Sequence, residues 1–209
     1  MNTRITVVTM ALAATTLSSL ALAQLDMEMF GQRRPPPFFH PKGYYAVEFP
    51  GGWEHKLTAQ GQLVANKLAG DRAELTITMK SVPNKVDTEM VAHNAGIALR
   101  KLPTFVDRGG GTLTVAGKPA SVRSFEFDYQ GNTEYTVAVE ELYIVSGSVL
   151  YTVHFEVLKR SFRNFQKDLQ KIYGSIIVAE IDADGQPMHP VRPRAKASPD
   201  SIMVPGPGR

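Results

Sequence analysis

The sequence predicts an α+β domain in which helices pack on an antiparallel β-sheet. Three observations support this fold class. Apolar and polar residues alternate through most of the central chain, short turns join consecutive segments of this kind, and two segments have helical periodicity instead. Strands joined by short turns must run antiparallel, because a parallel pair needs a long crossover connection. We therefore expect a sheet of about six to seven strands flanked by helices.

The first 23 residues have the features of a secretory signal peptide. Arg4 supplies positive charge, an uncharged segment follows, and the small residues at positions 21 and 23 predict cleavage between Ala23 and Gln24. Thr and Ser residues interrupt the apolar segment, which makes it too short and too polar for a stable membrane span. We therefore expect a periplasmic or secreted protein without stable membrane insertion.

Proline marks the expected limits of the folded domain, which is predicted to span residues 43–179. Residues 24–42 form a Pro-rich linker that is expected to be mostly disordered, because proline cannot donate a backbone hydrogen bond. Residues 180–209 form a Pro-rich tail with few large apolar side chains, and it is also expected to be disordered.

The composition excludes several classes of function. The chain of 209 residues has no cysteine, so disulfides, thiol catalysis and cysteine metal sites are all excluded. The net charge is +3, and basic and acidic side chains are interspersed through the domain. The domain is therefore not expected to have a positive electrostatic field that would attract nucleic acid. The domain must therefore be stabilised by burial alone.

The strands are predicted from alternation and turn residues, in chain order. Trp53, the only tryptophan, follows a Pro-Gly-Gly turn and is expected to anchor the core, because large aromatic side chains dominate core burial. Residues 117–120 (Gly-Lys-Pro-Ala) are expected to form a hairpin turn, and Asp107 to Gly111 a flexible connection. The predicted strands are Tyr45 to Phe49, a second strand from Trp53, Leu75 to Met79, Thr112 to Ala116, Ser121 to Tyr129, Thr133 to Val145 and Val149 to Val157.

Two segments change to helical periodicity. The first, Asp87 to Leu102, begins at a capping Asp, and its expected apolar stripe is Val91, Ala95, Ala98 and Leu102. The second runs from Ser161, also expected to be a cap, to Tyr173. Its expected core side is Phe162, Phe165, Leu169, Ile172 and Tyr173.

The sequence contains no catalytic or metal-binding signature, and no cofactor is predicted. The histidines have no zinc-site spacing, and no GxSxG motif or phosphate-binding loop occurs. The strongest candidate is Glu140 with His154, flanked by Glu141 and Glu156, and it depends on the hairpin register. A three-residue turn at 146–148 places Glu140 opposite His154, whereas a two-residue Ser-Gly turn places His154 beside Val139. Both registers remain open, and such a pair is usually a surface contact worth under about 1 kcal/mol.

The order of these segments resembles the PsbP-like superfamily. The resemblance rests on the strand and Trp of AVEFPGGWE, the strand AELTITMKSV, the helix, the Gly-x-Pro-Ala hairpin, and the last strand with its aromatic helix. This superfamily includes oxygen-evolving PsbP subunits, the yeast Ran-binding Mog protein and bacterial DcrB-type periplasmic proteins. The resemblance implies helices on both sides of an antiparallel sheet, and a role in binding or assisting other proteins.

Three functions follow as expectations. The first is an exported, non-enzymatic binding or assembly module of the bacterial envelope, with an unknown protein as its partner. The second is a carrier of lipids or other apolar ligands. The third is an enzyme with a site around Glu140 and His154. Because the superfamily shares no catalytic motif, the resemblance assigns no site residue.

Overall fold

The computed structural model describes residues 35–83, 86–102 and 104–193. The predicted signal peptide and much of the predicted tail lie outside these residues. The described chain contains two α-helices, α1 (Thr88–Leu99) and α2 (Phe162–Ser175), and ten strands. The strands are β1 (Phe38–Phe39), β2 (Tyr45–Val47), β3 (Glu54–Leu57), β4 (Leu63–Ala69), β5 (Asp71–Ser81), β6 (Val106–Val115), β7 (Lys118–Asp128), β8 (Thr136–Ser146), β9 (Val149–Leu158) and β10 (Ile177–Val178).

Seven of these strands form one antiparallel sheet in the order β3-β4-β5-β9-β8-β7-β6. The other three form a small antiparallel sheet in the order β1-β2-β10. The predicted α+β class and the seven-stranded antiparallel sheet are therefore confirmed. Both edges of the large sheet, β3 and β6, lack a further strand partner within the described chain.

The main core lies between one side of the large sheet and α2. Alternate residues of the central strands face this side, and α2 contributes the apolar stripe that its periodicity predicts, including Phe165 and Ile172, both fully buried. Ser161 occupies the N-cap position as expected, but its hydroxyl donates a hydrogen bond to Asp71 at 2.8 Å instead of accepting one from a backbone N–H of the helix. The chain before α2 is thereby attached to the start of β5.

Trp53 anchors this core, as predicted. Its side chain is 2% exposed, and its ring lies edge-on to Phe165 with the ring centres 6.1 Å apart. The indole N–H donates a hydrogen bond to Asp168 of α2 at 2.9 Å, and Lys67 of β4 contacts the same carboxylate oxygen at 2.7 Å. The buried indole therefore has a hydrogen-bond partner, as a buried tryptophan usually does. Trp53 therefore connects the Pro-Gly-Gly turn, the large sheet and α2.

The opposite side of the sheet carries α1, which packs mainly on β7 and β8. Asp87 caps this helix as predicted, since its carboxylate accepts a hydrogen bond from the Glu89 backbone at 3.0 Å. The predicted stripe was wrong in part. Val91 and Ala95 are half-buried against the cluster that contains Ala92, but Ala98 is exposed, and the buried positions are Thr88, Ala92 and Gly96. These small residues let the helix approach a polar part of the sheet.

The folded domain extends beyond the predicted limits of 43–179 at both ends. Phe38–Phe39, predicted to lie in a disordered linker, pairs with β2, and its neighbouring prolines lie outside the two paired positions. At the other end, Val191 donates a backbone hydrogen bond to Gly43 at 2.9 Å and packs against the core. Apolar residues between these prolines, among them Phe38 and Val191, pack against the core and extend the domain.

Two turn predictions were also wrong. The hairpin between β6 and β7 turns at Ala116 and Gly117, both with positive φ, so Lys118 and Pro119 belong to β7. The segment Asp107 to Gly111 is not a flexible connection, because it belongs to the edge strand β6 and contains a β-bulge between Asp107 and Gly109. A Cβ on Gly110 would lie 2.2 Å from the Val122 carbonyl oxygen, which explains a glycine inside this strand.

Candidate functional site

The hairpin of β8 and β9 adopts neither of the two registers considered above. Ser146 pairs with Val149, so Gly147 and Ser148 form a two-residue turn in which Gly147 has φ of +57°. His154 therefore lies opposite Glu141, and Glu140 lies opposite Phe155. The predicted contact between Glu140 and His154 was wrong by one residue. Because side chains alternate along a strand, this shift places the two on opposite sides of the sheet.

His154 lies between two carboxylates. Its Nδ1 is 2.9 Å from Glu141 Oε1, and its Nε2 is 3.4 Å from Glu156 Oε2. Tyr143 donates a hydrogen bond to the second oxygen of Glu141. We call Glu141, Tyr143, His154 and Glu156 the histidine cluster. The His154 side chain is 35% exposed, so the cluster borders solvent rather than lying inside the core.

The carboxylates stabilise the charged form of His154. Burial lowers the pKa of His154, but the hydrogen bonds and negative charges of Glu141 and Glu156 outweigh this effect and raise the pKa to about 9. Burial raises the pKa of Glu141, but its hydrogen bonds with His154 and Tyr143 leave that pKa lower than normal. His154 is therefore an imidazolium at neutral pH, and it donates from both ring nitrogens.

Glu140 occupies a different environment, on the side of the sheet that carries α2. Ser124 donates a hydrogen bond to it at 3.3 Å. Burial raises the pKa of Tyr173 on α2, and the nearby charge of Glu140 raises it further. Of the predicted pair, only His154 belongs to the cluster. The Gly-Ser dipeptide at 147–148 could have given the correct register, since glycine at the first central position is typical of a type II′ hairpin turn.

The histidine cluster is part of a larger polar surface. Beyond α1, whose Ala92 packs in one cluster with Leu150 of β9, the strands β4, β5 and β9 direct alternate side chains away from the core. We call this surface the open face. Its side chains are Val64, Asn66, Leu68, Arg72, Glu74, Thr76, Thr78, Thr152, His154 and Glu156.

Two surface grooves border the open face. One has a volume of about 610 Å³, and its lining includes Lys56, Asn66 and Leu68, of which Leu68 is 76% exposed. The other has a volume of about 370 Å³ and lies beside the histidine cluster. Its lining residues are Arg72, Glu74, Tyr129, Tyr135, Val137, Glu156, Val157 and Leu158. We call the second the tyrosine groove, because Tyr129 and Tyr135 are 55% and 49% exposed.

Among the described residues, no group of His, Asp and Glu has an arrangement that could hold a metal ion. Within the same part of the chain, neither helix combines the length and the apolar character needed to cross a membrane.

Solved structures with the same architecture identify the fold. LpqN of Mycobacterium tuberculosis, a protein involved in cell envelope biogenesis, is 15% identical over 68% of this chain and 88% of its own, with a TM-score of 0.55. Cyanobacterial PsbP from Synechocystis is 12% identical over 71% and 94%, with a TM-score of 0.52. A protein from Bacteroides thetaiotaomicron is 9% identical over 71% and 50%, with a TM-score of 0.51.

The sequence itself matches no family model and no curated protein. The structural similarity therefore carries the assignment, and at these identities it shows the fold alone. The chain is an α+β protein with a PsbP-like fold. The resemblance stated from the sequence is confirmed at that level.

Proposed function

We propose that the protein is an exported, non-catalytic module of the cell envelope that binds another protein at the tyrosine groove and the adjoining open face. The observation that carries this proposal is the groove itself. It combines exposed Tyr129 and Tyr135 with Arg72, and Tyr and Arg are the residue types that most often dominate protein–protein binding energies.

The charge of His154 supports binding rather than catalysis. A catalytic acid or base works best when its pKa lies near the working pH, whereas the two carboxylates raise the pKa of His154 to about 9. The cluster also borders an open sheet surface rather than an enclosed cleft, because the His154 side chain is 35% exposed. In a binding module, the fixed imidazolium and its carboxylates would orient polar groups of a partner.

The lining of the grooves favours a protein partner over an apolar ligand. Lys56, Arg72 and Glu74 carry charge beside Leu68 and the two tyrosines, which gives a mixed surface typical of non-obligate interfaces. The described core is closed, with its largest aromatic side chains fully buried. A carrier for lipids would present a larger continuous apolar groove. The involvement of LpqN in envelope biogenesis agrees with an envelope location for this chain.

Site-specific crosslinking in the producing cell tests the proposal. Tyr135 is replaced by a photoreactive phenylalanine analogue, and the same analogue at exposed Lys171 on α2 is the control. We expect one discrete crosslinked product from position 135 that position 171 does not give. Arg72→Glu should weaken that product at least about 10-fold, a loss typical of a charged interface residue, whereas Arg100→Glu, at the residue that follows α1, should not.

Two results would contradict the proposal. Identical crosslinking patterns at positions 135 and 171 would show that the groove has no specific partner. Loss of the protein's cellular effect in a folded His154→Gln variant, with the crosslinked product unchanged, would favour an enzyme instead.

A further inference from the structure

The two edges of the large sheet differ in how they are protected from pairing. β3 has only four residues and carries Glu54 and Lys56, and short charged edge strands are the usual defence against strand addition. β6 has ten residues, and its stretch from Gly109 to Val115 contains no charge and no proline. Most of this stretch is exposed, and no strand of the described chain pairs with its outer side.

This edge offers backbone groups to an added strand. In an edge strand, alternate N–H and C=O groups point away from the sheet and remain available for pairing with another extended chain. The bulge between Asp107 and Gly109 disrupts pairing at one end only. Gly109 has a φ of +91° beside the bulge, so the six residues from 110 to 115 are the regular and unprotected part of this edge.

The sequence of this edge is complementary to itself. Residues directly opposite each other in an antiparallel pair lie on the same side of the sheet. If two copies of β6 pair antiparallel about Thr112, then Leu113 of each copy lies opposite Gly111 of the other. No heavy atom of the described residues lies within 4 Å of the position that a Cβ would occupy on Gly111. The half-buried side chain of Leu113 in one copy would therefore lie beside the open position of the other.

The charges also permit this pairing. Within 109–115, no charged residue would lie opposite a like charge, because the stretch has none. Just before this stretch, Asp107 is ion-paired with Arg123 and Arg108 with Glu126, both at 2.5 Å, so these charges are compensated within each copy.

We infer that the protein forms a two-fold symmetric homodimer in which β6 pairs antiparallel with β6 of a second copy, with Thr112 on the symmetry axis. The interface is isologous, since the same strand contributes from both copies. It joins the two seven-stranded sheets into one continuous sheet. The tyrosine groove is formed by other strands, so this dimer goes beyond the proposed function and does not depend on it.

Light scattering of the purified protein measures the consequence directly. We expect a mass of twice the 22.9 kDa of the chain, or twice that of the mature protein if the leader is removed. Gly111→Lys should reduce the mass to that of a monomer, because it places a charge at the centre of the pairing edge while its side chain has open space in the monomer. Gly174→Lys is the matched control, since it adds the same charge at an exposed glycine of α2 with equally open space, and it should remain a dimer.

A cysteine crosslink fixes the register independently. The chain has no cysteine, so Thr112→Cys introduces a single thiol. Residues on the two-fold axis of an antiparallel pair have Cα atoms about 4.5 to 5.5 Å apart, within the range for a disulfide. Thr112→Cys should therefore give a covalent dimer on mild oxidation, whereas Leu57→Cys on the opposite edge should not.

Three outcomes would overturn the inference. The first is a monomeric mass for the wild-type protein at high micromolar concentration. The second is a dimer that survives Gly111→Lys in a variant whose circular dichroism matches the wild type. The third is equal oxidation of Thr112→Cys and Leu57→Cys. If the wild type is a monomer that binds an added peptide and Gly111→Lys abolishes this binding, then β6 pairs with a strand of another protein and not with a second copy.

Discussion

Replacing His154 should destabilise the protein in a pH-dependent manner. His154→Gln keeps a polar side chain of similar size but removes the positive charge between Glu141 and Glu156. The folded state raises the pKa of His154 from 6.5 to about 9, so it binds an additional proton relative to the unfolded state between these values. The stabilisation is therefore fully present below pH 6.5 and is lost as the pH rises through 9.

The structure sets the magnitude of this effect. A pKa raised from 6.5 to about 9 corresponds to at most about 3.4 kcal/mol in the free energy of unfolding. The side chain is 35% exposed, so solvent screens the ion pairs and reduces the expected contribution to roughly 1–2 kcal/mol.

Urea denaturation of wild type and His154→Gln at pH 6 and pH 10 measures the difference. We expect the variant to lose roughly 1–2 kcal/mol more stability at pH 6 than at pH 10. His93→Gln, which removes an exposed histidine on α1, is the control. An NMR titration should also show His154 changing protonation near pH 9. The reasoning would be refuted by equal losses at both pH values, or by a measured pKa at or below 6.5.

Three further predictions concern the fold. Trp53→Ala should lower the free energy of unfolding by about 3–5 kcal/mol, since it removes a buried aromatic side chain, and Trp53→Phe should lower it by clearly less. Equal losses for the two variants in urea denaturation would contradict this prediction. Gly110→Ala should lower the free energy of unfolding by about 1–3 kcal/mol, because the added Cβ would lie 2.2 Å from a carbonyl oxygen of β7. Gly111→Ala should be near neutral in the monomer, since its Cβ would have open space. Thermal melting of both variants at low protein concentration checks this difference. Burial lowers the pKa of both His40 and His55, so the unfolded state binds more protons below pH 6.5 and the stability should fall there. If a His55→Phe variant loses stability in acid as steeply as the wild type, His55 is not a cause of this loss.

Several features of the fold follow from local sequence patterns. Alternation of apolar residues, short turns and two helical segments were sufficient to predict an antiparallel sheet with helices packed on it. The core role of Trp53 and the buried side of α2 were also predicted correctly, since the burial of large apolar side chains depends mainly on their size and spacing. These properties are encoded within about a dozen neighbouring residues.

The stripe of α1 was not predictable in the same way. Periodicity selected Val91, Ala95, Ala98 and Leu102, yet the buried positions of the helix are Thr88, Ala92 and Gly96. The reason lies in the sheet beneath, where Arg123 donates a hydrogen bond to the Ala92 carbonyl at 3.3 Å. A Cβ on Gly96 would lie 2.0 Å from the Arg123 guanidinium, so a larger residue here would displace that side chain from its present position. That requirement comes from a residue distant in sequence.

The sequence by itself determined the fold class, the buried Trp53 and the presence of His154 and three nearby glutamate candidates on one hairpin. Only the tertiary structure decided which carboxylates contact His154, because a register change of one residue moves every side chain of a strand to the other side of the sheet. Only the tertiary structure also showed that the three consecutive glycines lie in an edge strand. An edge is defined by the absence of a neighbouring strand, and no local pattern of residues encodes that absence.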